Sequence, residues 1–170
     1  VSYDFWLEID TGGEEPLRIV RRFTDQHPAL DGDGIAGNVE VGVSGYIRCG
    51  NYTSNVSDIW ARCLTAAADQ ECIGWWVTGH RVVKRAGNWV RHEPRPEDSI
   101  RLADLDGKSP AGDLAPLFAA AVEWGISNRR ELRNLEPPNG WGNVDGAITY
   151  LWDIQRMCEA HPKATLRLSW

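Results

Sequence analysis

The sequence predicts an α+β protein. It would have an antiparallel sheet including both ends of the chain, about three helices packed on one face, and a protruding basic β-hairpin. Three observations carry this reading. Polarity alternates with the two-residue period of a half-buried strand at 2–9 and again at 164–169. Apolar residues recur at helical spacing in three segments, near 57–68, 111–124 and 148–160. Between the first two, 75–92 is dense in β-branched and aromatic residues around Ala86-Gly87-Asn88.

In chain order, Tyr3, Phe5, Leu7 and Ile9 alternate with Ser2, Asp4, Trp6 and Glu8. Turn residues follow at 11–16, and an extended pattern resumes at 17–23, which together predict a hairpin. An Asp/Gly-rich loop fills 27–37, and Val39, Val41, Val43, Tyr46 and Ile47 predict a third strand, bent at Gly42 and Gly45. The loop 51–57 offers several N-cap residues ahead of Ile59, Trp60, Cys63 and Leu64, so a first helix is expected over 57–68. The segment 75–92 is read as a hairpin closed by a three-residue loop and ended by Pro94 and Pro96. Leu114, Leu117, Phe118, Ala121 and Val122 give a second helix over 111–124. After the loop Glu136-Pro137-Pro138-Asn139-Gly140-Trp141-Gly142, the positions Ile148, Leu151, Trp152, Gln155 and Cys158 give a third, ending near His161-Pro162.

The chain of 170 residues is 42% hydrophobic and 25% charged, the proportions of one globular domain. No apolar run is long enough to span a bilayer and 1–5 has no signal-peptide pattern, so a cytoplasmic protein with no membrane partner is expected. Val1 in the place of an initiator Met reads as a GTG start, the habit of a bacterial or phage gene. The net charge of −6 is confined to the N-terminal part, where residues 1–40 hold nine acids and three bases and the remainder fifteen of each. This argues against general phosphate-backbone binding, which needs clustered Lys and Arg. Cys49, Cys63, Cys72 and Cys158 have no metal or redox spacing and are expected as reduced thiols.

Two motif-like stretches lose their meaning on inspection. Asp31-Gly32-Asp33-Gly34 with Glu40 matches part of a calcium loop, but the first ligand position holds Ala29 and the flanks are strand-like. Asp104-Leu105-Asp106-Gly107-Lys108-Ser109 suggests both a phosphatase and a P-loop, yet Leu102 stands where the P-loop needs glycine and no parallel sheet is available. A turn before the second helix accounts for it. In the hairpin, a pairing of Arg85 with Trp89 would gather Arg81, Arg85, Trp89 and Arg91 on one face. Guanidiniums beside an indole can grip a phosphate while the ring stacks on a base, so nucleic acid is expected only through 79–95. His80 and His92 on the other face lack a third zinc ligand, and no metal or cofactor is expected.

Nine Trp against three Phe favour cores with polar edges and binding surfaces. Trp6, Trp60, Trp124 and Trp152 lie in periodic elements and read as core; Trp75, Trp76, Trp89 and Trp141 read as ligand candidates. Two Asn-rich loops precede helices, and each sets amide groups where the helix dipole favours an anion. If they meet, Asn51, Tyr52, Thr53 and Asn55 would share a pocket with Asn139, Trp141 and Asn143. Capping and turn formation explain each loop separately.

Asn51-Tyr52-Thr53-Ser54-Asn55-Val56, Leu105-Asp106-Gly107-Lys108, Asn139-Gly140-Trp141-Gly142 and Cys158-Glu159-Ala160-His161-Pro162-Lys163-Ala164-Thr165, with Ser2-Tyr3-Asp4 and Asp10-Thr11-Gly12-Gly13, carry a resemblance. They resemble a family of small accessory proteins of actinobacterial tailed phages. Relative to its shorter members, about 24–40 and about 70–100 look like an inserted loop and an inserted hairpin in one domain over 1–170. The resemblance implies an accessory protein acting in the cytoplasm of an infected bacterial host and supplies no catalytic residue.

No nucleophile, base and orienter are visible together. The leading expectation is therefore a binding protein, serving counter-defence or host takeover, whose partner is a small anionic, nucleotide-like ligand or a host protein. The alternatives are an enzyme acting on a nucleotide or nucleic acid, and an acidic nucleic-acid mimic that inhibits a host protein.

Overall fold

The computed structural model describes residues 2–19, 23, 25–31, 40–41, 47–48, 50–68, 82–85, 88–91 and 99–170; at 40–41, 47–48, 50–51, 82–85 and 88–91 it describes the backbone pairing. The sheet is built on β1 (Ser2–Ile9), the longest strand. Strand β2 (Leu17–Ile19) and strand β5 (Gly50–Thr53) lie end to end along one side of β1, with Leu7 opposite Ile19 and Tyr3 opposite Tyr52. The C-terminal strand β8 (Thr165–Ser169) runs along the other side, with Phe5 opposite Leu168 and Leu7 opposite Leu166. All of these pairings are antiparallel, and both ends of the described chain lie in the sheet. Two further pairs stand apart from it, β3 (Glu40–Val41) with β4 (Ile47–Arg48), and β6 (Val82–Arg85) with β7 (Asn88–Arg91).

Three long helices cover the face that carries Phe5, Leu7, Leu166 and Leu168. They are α1 (Ser57–Ala68), α2 (Ala111–Ser127) and α4 (Val144–Ala160), with one turn, α3 (Arg129–Leu132), between the last two. Helix α2 packs against both α1 and α4. Its buried positions Leu114, Leu117, Phe118, Ala121 and Val122 are the ones that the sequence periodicity marks, and the helix runs one turn past the expected end. The alternation of β1 reaches its other face too: Trp6 is buried opposite to Phe5 and Leu7, its indole N–H donates to Glu8 at 2.8 Å, and the Arg18 guanidinium lies 4.9 Å from its ring centre. Of the tryptophans expected in the core, Trp60 is wholly buried, while Trp124 and Trp152 are half-buried and pack against it.

A chain of rings joins the sheet to the helices. Trp60 of α1 stacks on Tyr150 of α4 at 5.0 Å, Phe5 meets Tyr150 edge-on at 5.3 Å, and Tyr3 meets Trp60 edge-on at 5.3 Å. The polar tips of the two fully buried rings, Trp60 and Tyr150, have partners, as burial demands. The Trp60 indole donates to the Ala147 carbonyl at 3.0 Å and the Tyr150 hydroxyl to the Tyr3 carbonyl at 3.0 Å. Tyr3 is therefore set on a rigid base. No described helix is long and apolar enough to cross a membrane.

Two expectations need correction. Asn51, Tyr52 and Thr53 form β5 rather than a loop, because pairing with β1 satisfies a backbone that local propensity leaves undecided. In the basic hairpin, Arg85 pairs with Asn88 and Lys84 with Trp89, so two residues separate the strands instead of three. Since a one-residue slip exchanges faces, Trp89 and Arg91 alternate in phase with Lys84, and Arg85 falls out of phase with them.

Candidate functional site

The two Asn-rich segments do meet. The Asn143 backbone N–H donates to the Tyr52 hydroxyl at 3.2 Å, and α4 begins at that contact. They meet without leaving a space. A Cβ added at Gly146 would stand 2.0 Å from the Tyr52 hydroxyl, and one at Gly142, whose φ is +95°, would stand 2.7 Å from both Thr53 Cγ2 and Val56 Cγ1. Glycine is required at both places by this close approach. The amides expected to hold an anion are also occupied from within: Val144 N–H donates to the Glu136 carboxylate at 3.0 Å and Gly146 N–H to the Asn143 side chain at 2.7 Å. Asn139 turns its carbonyl oxygen back to the Trp141 N–H at 3.0 Å, and Asn55 is exposed with its N–H on the Thr53 hydroxyl at 3.3 Å. Trp141 is 69% exposed and does not line the neighbouring cleft at Tyr3, Arg101 and Trp170.

An open cleft of about 350 Å³ lies beside this contact, lined by Tyr3, Ser54, Ser57, Arg101, Leu102 and Trp170. Its construction follows from the sheet. Because Ser169 pairs with Asp4, the residue after β8, Trp170, comes alongside Tyr3, and the two rings stack with centres 5.8 Å apart and planes 21° from parallel. Thr53 ends β5 opposite Ser2, and the chain turns at once through 54–56 into α1, which brings the Ser54 and Ser57 side chains to the same place. Arg101 is positioned from both sides: the Ile100 N–H donates to the Thr65 hydroxyl of α1 at 3.0 Å, and the Arg101 N–H to the Asp104 carboxylate at 2.8 Å. Among the described residues no carboxylate forms an ion pair with the Arg101 guanidinium. Burial raises the Tyr3 phenol above its ordinary pKa, Arg101 opposes this and Asp104 adds to it, so the hydroxyl stays protonated at neutral pH.

This cleft is wide enough for one small organic ligand, at the lower end of the roughly 300–1,000 Å³ usual for such sites. It offers an open indole face, a guanidinium and two hydroxyls. No local sequence pattern marks Tyr3, Arg101 or Trp170 as ligand residues. The signal available was the placing of both terminal strands in one sheet, which sets the last tryptophan near the first tyrosine.

The other sequence candidates serve the fold or lie elsewhere. The side chains of Asn51, Arg85, Trp89 and Arg91, and Arg81 as a whole, lie outside the described residues, as do 32–39, Cys49, Cys72, Trp75, Trp76, His80 and His92. Asp106 accepts the Leu168 N–H at 2.9 Å and the Arg167 side chain at 3.0 Å, and Lys108 and Gly107 bond the backbone of Leu166, so the phosphatase-like stretch is the cover of the β8 edge. The Asp31 N–H, at the start of the calcium-like loop, is held by Asp145 at 2.8 Å. Cys63 and Cys158 are buried, and burial pushes the Cys63 thiol up to about 12, which leaves it inert as a nucleophile. Among the described residues no three His, Cys, Asp or Glu side chains are grouped to hold a metal ion. Compared with known proteins, the chain matches no family model, no curated protein and no solved structure.

Proposed function

We propose that this protein is a binding protein that captures a small anionic, nucleotide-like ligand, and that the ligand occupies the cleft between Tyr3, Arg101 and Trp170. The observation that carries the reading is the combination of an exposed indole face, 58% open at Trp170, with a guanidinium that no described carboxylate neutralises. Stacking of a base on such a ring is worth about 1–3 kcal/mol, and an arginine to phosphate bond is among the strong, charge-assisted kind. Ser54 and Ser57 add neutral donors at the start of a helix, whose dipole favours the same charge. Capture is favoured over catalysis because, among the described residues, the lining contains no imidazole, thiol or carboxylate to act as a base beside the two hydroxyls. The resemblance to phage accessory proteins supports counter-defence in an infected host cell as the setting.

The test is a thermal melt with a panel of nucleotides. A ligand at a hundred times its Kd stabilises the folded state by about 2.7 kcal/mol, which for a chain of this size raises Tm by roughly 5–10 °C. The rise is expected in the native protein and not in Arg101→Ala or Trp170→Ala, whose own unliganded Tm should be close to native because both side chains are exposed. If no nucleotide shifts the native Tm, or the two variants respond as it does, the reading fails.

A further inference from the structure

The charges around the cleft limit what kind of anion it suits. Among the described residues its lining holds one cation, Arg101, and two neutral hydroxyl side chains, Ser54 and Ser57. Directly behind Arg101 stands Asp104, whose carboxylate is bonded to the Arg101 backbone at 2.8 Å and whose field reaches the Tyr3 hydroxyl. Asp58, in the first turn of α1, follows Ser57 and is exposed. A first negative charge placed at Arg101 is compensated; among the described residues a second finds no further lining cation and the Asp104 carboxylate close by. The ring surface is equally limited. One face of Trp170 is taken by Tyr3 and the edge of Tyr3 by Trp60, so a single open face remains, in a space sized for a single nucleotide unit.

From this we infer that the cleft selects a nucleotide whose phosphate is a singly charged diester over the same nucleotide bearing a doubly charged monoester or a polyphosphate. The inference rests on the proposed binding role and adds the ligand class. It predicts discrimination by charge number, since an extra negative charge finds repulsion where a polyphosphate site would supply Lys, Arg or a cation.

Calorimetric titration of the full chain at pH 7.5 with adenosine, adenosine 3′,5′-cyclic monophosphate, AMP and ATP tests it. The cyclic monoanion should bind at least tenfold tighter than AMP, and ATP no tighter than AMP. Lowering the pH to 5.5 protonates most of the AMP monoester, whose second pKa is about 6, and its affinity should approach that of the cyclic nucleotide measured at the same pH. The cyclic nucleotide also controls for titration of the protein itself. If AMP or ATP binds as tightly as the cyclic nucleotide at pH 7.5, the charge selection is wrong while the binding role stands. If no member of the series binds, both are overturned.

Discussion

At Asp153 burial and ion pairing pull in opposite directions. The side chain is 3% exposed and pairs with Arg156, whose second nitrogen reaches Asp25 at 2.6 Å. The guanidinium is clamped between Phe23 and Trp152, with ring centres 3.9 and 3.6 Å away, and His27 meets Trp152 edge-on at 4.8 Å. Burial outweighs the pairing and raises the Asp153 carboxyl to about 6. Because the folded chain then holds a proton where the unfolded chain has lost it, this group adds stability as the pH falls through 6 toward 4 and withdraws it as the pH rises. Asp153→Asn removes that dependence. In urea unfolding, the native protein should gain about 1 kcal/mol relative to Asp153→Asn between pH 7 and pH 5. A difference between the two that does not change with pH, or that grows in the opposite direction, would show that Asp153 is ionised throughout.

Strand β8 shows how an element is held at an edge. One side pairs with β1; on the other, Leu166 exchanges backbone bonds with Gly107 and Lys108, and the Leu168 N–H is taken by Asp106 at 2.9 Å. Open strand edges invite pairing with other chains, and here the turn before α2 closes one. Asp106→Ala strips a charged acceptor from the Leu168 N–H and from Arg167. It should cost about 1–2 kcal/mol and speed hydrogen exchange at the Leu168 amide about tenfold or more. Unchanged exchange there would mean that the strand edge does not depend on the carboxylate. At this scale the helices were legible, because the spacing of Leu114, Leu117, Phe118 and Ala121 reflects a buried stripe directly. Strand β5 was not, since Gly50, Asn51 and Thr53 carry no alternation and only the partner strand makes them extended. Nor was the hairpin register, because Ala86-Gly87-Asn88 is compatible with a loop of two residues or of three.

For the whole molecule, the α+β architecture follows from sequence, while the approach of the two Asn-rich segments and the place of the cavity do not. Pairing of the chain ends is implied by alternation at 2–9 and 164–169, and β1 between β5 and β8 realises it. Whether two meeting segments leave a gap depends on close packing, and here Tyr52 lies against Gly142 and Gly146 and fills it. The open space is assembled from four separate stretches, at 3, 54–57, 101–102 and 170, whose proximity no local pattern records. The ligand is therefore expected to meet Trp170 and not Trp141. The direct measurement is the indole N–H spectrum of ¹⁵N-labelled protein titrated with adenosine 3′,5′-cyclic monophosphate, with signals assigned through Trp170→Phe and Trp141→Phe. The Trp170 signal should move in step with ligand while the Trp141 signal stays in place; movement of Trp141 with Trp170 unaffected, or no movement of either, would contradict the account.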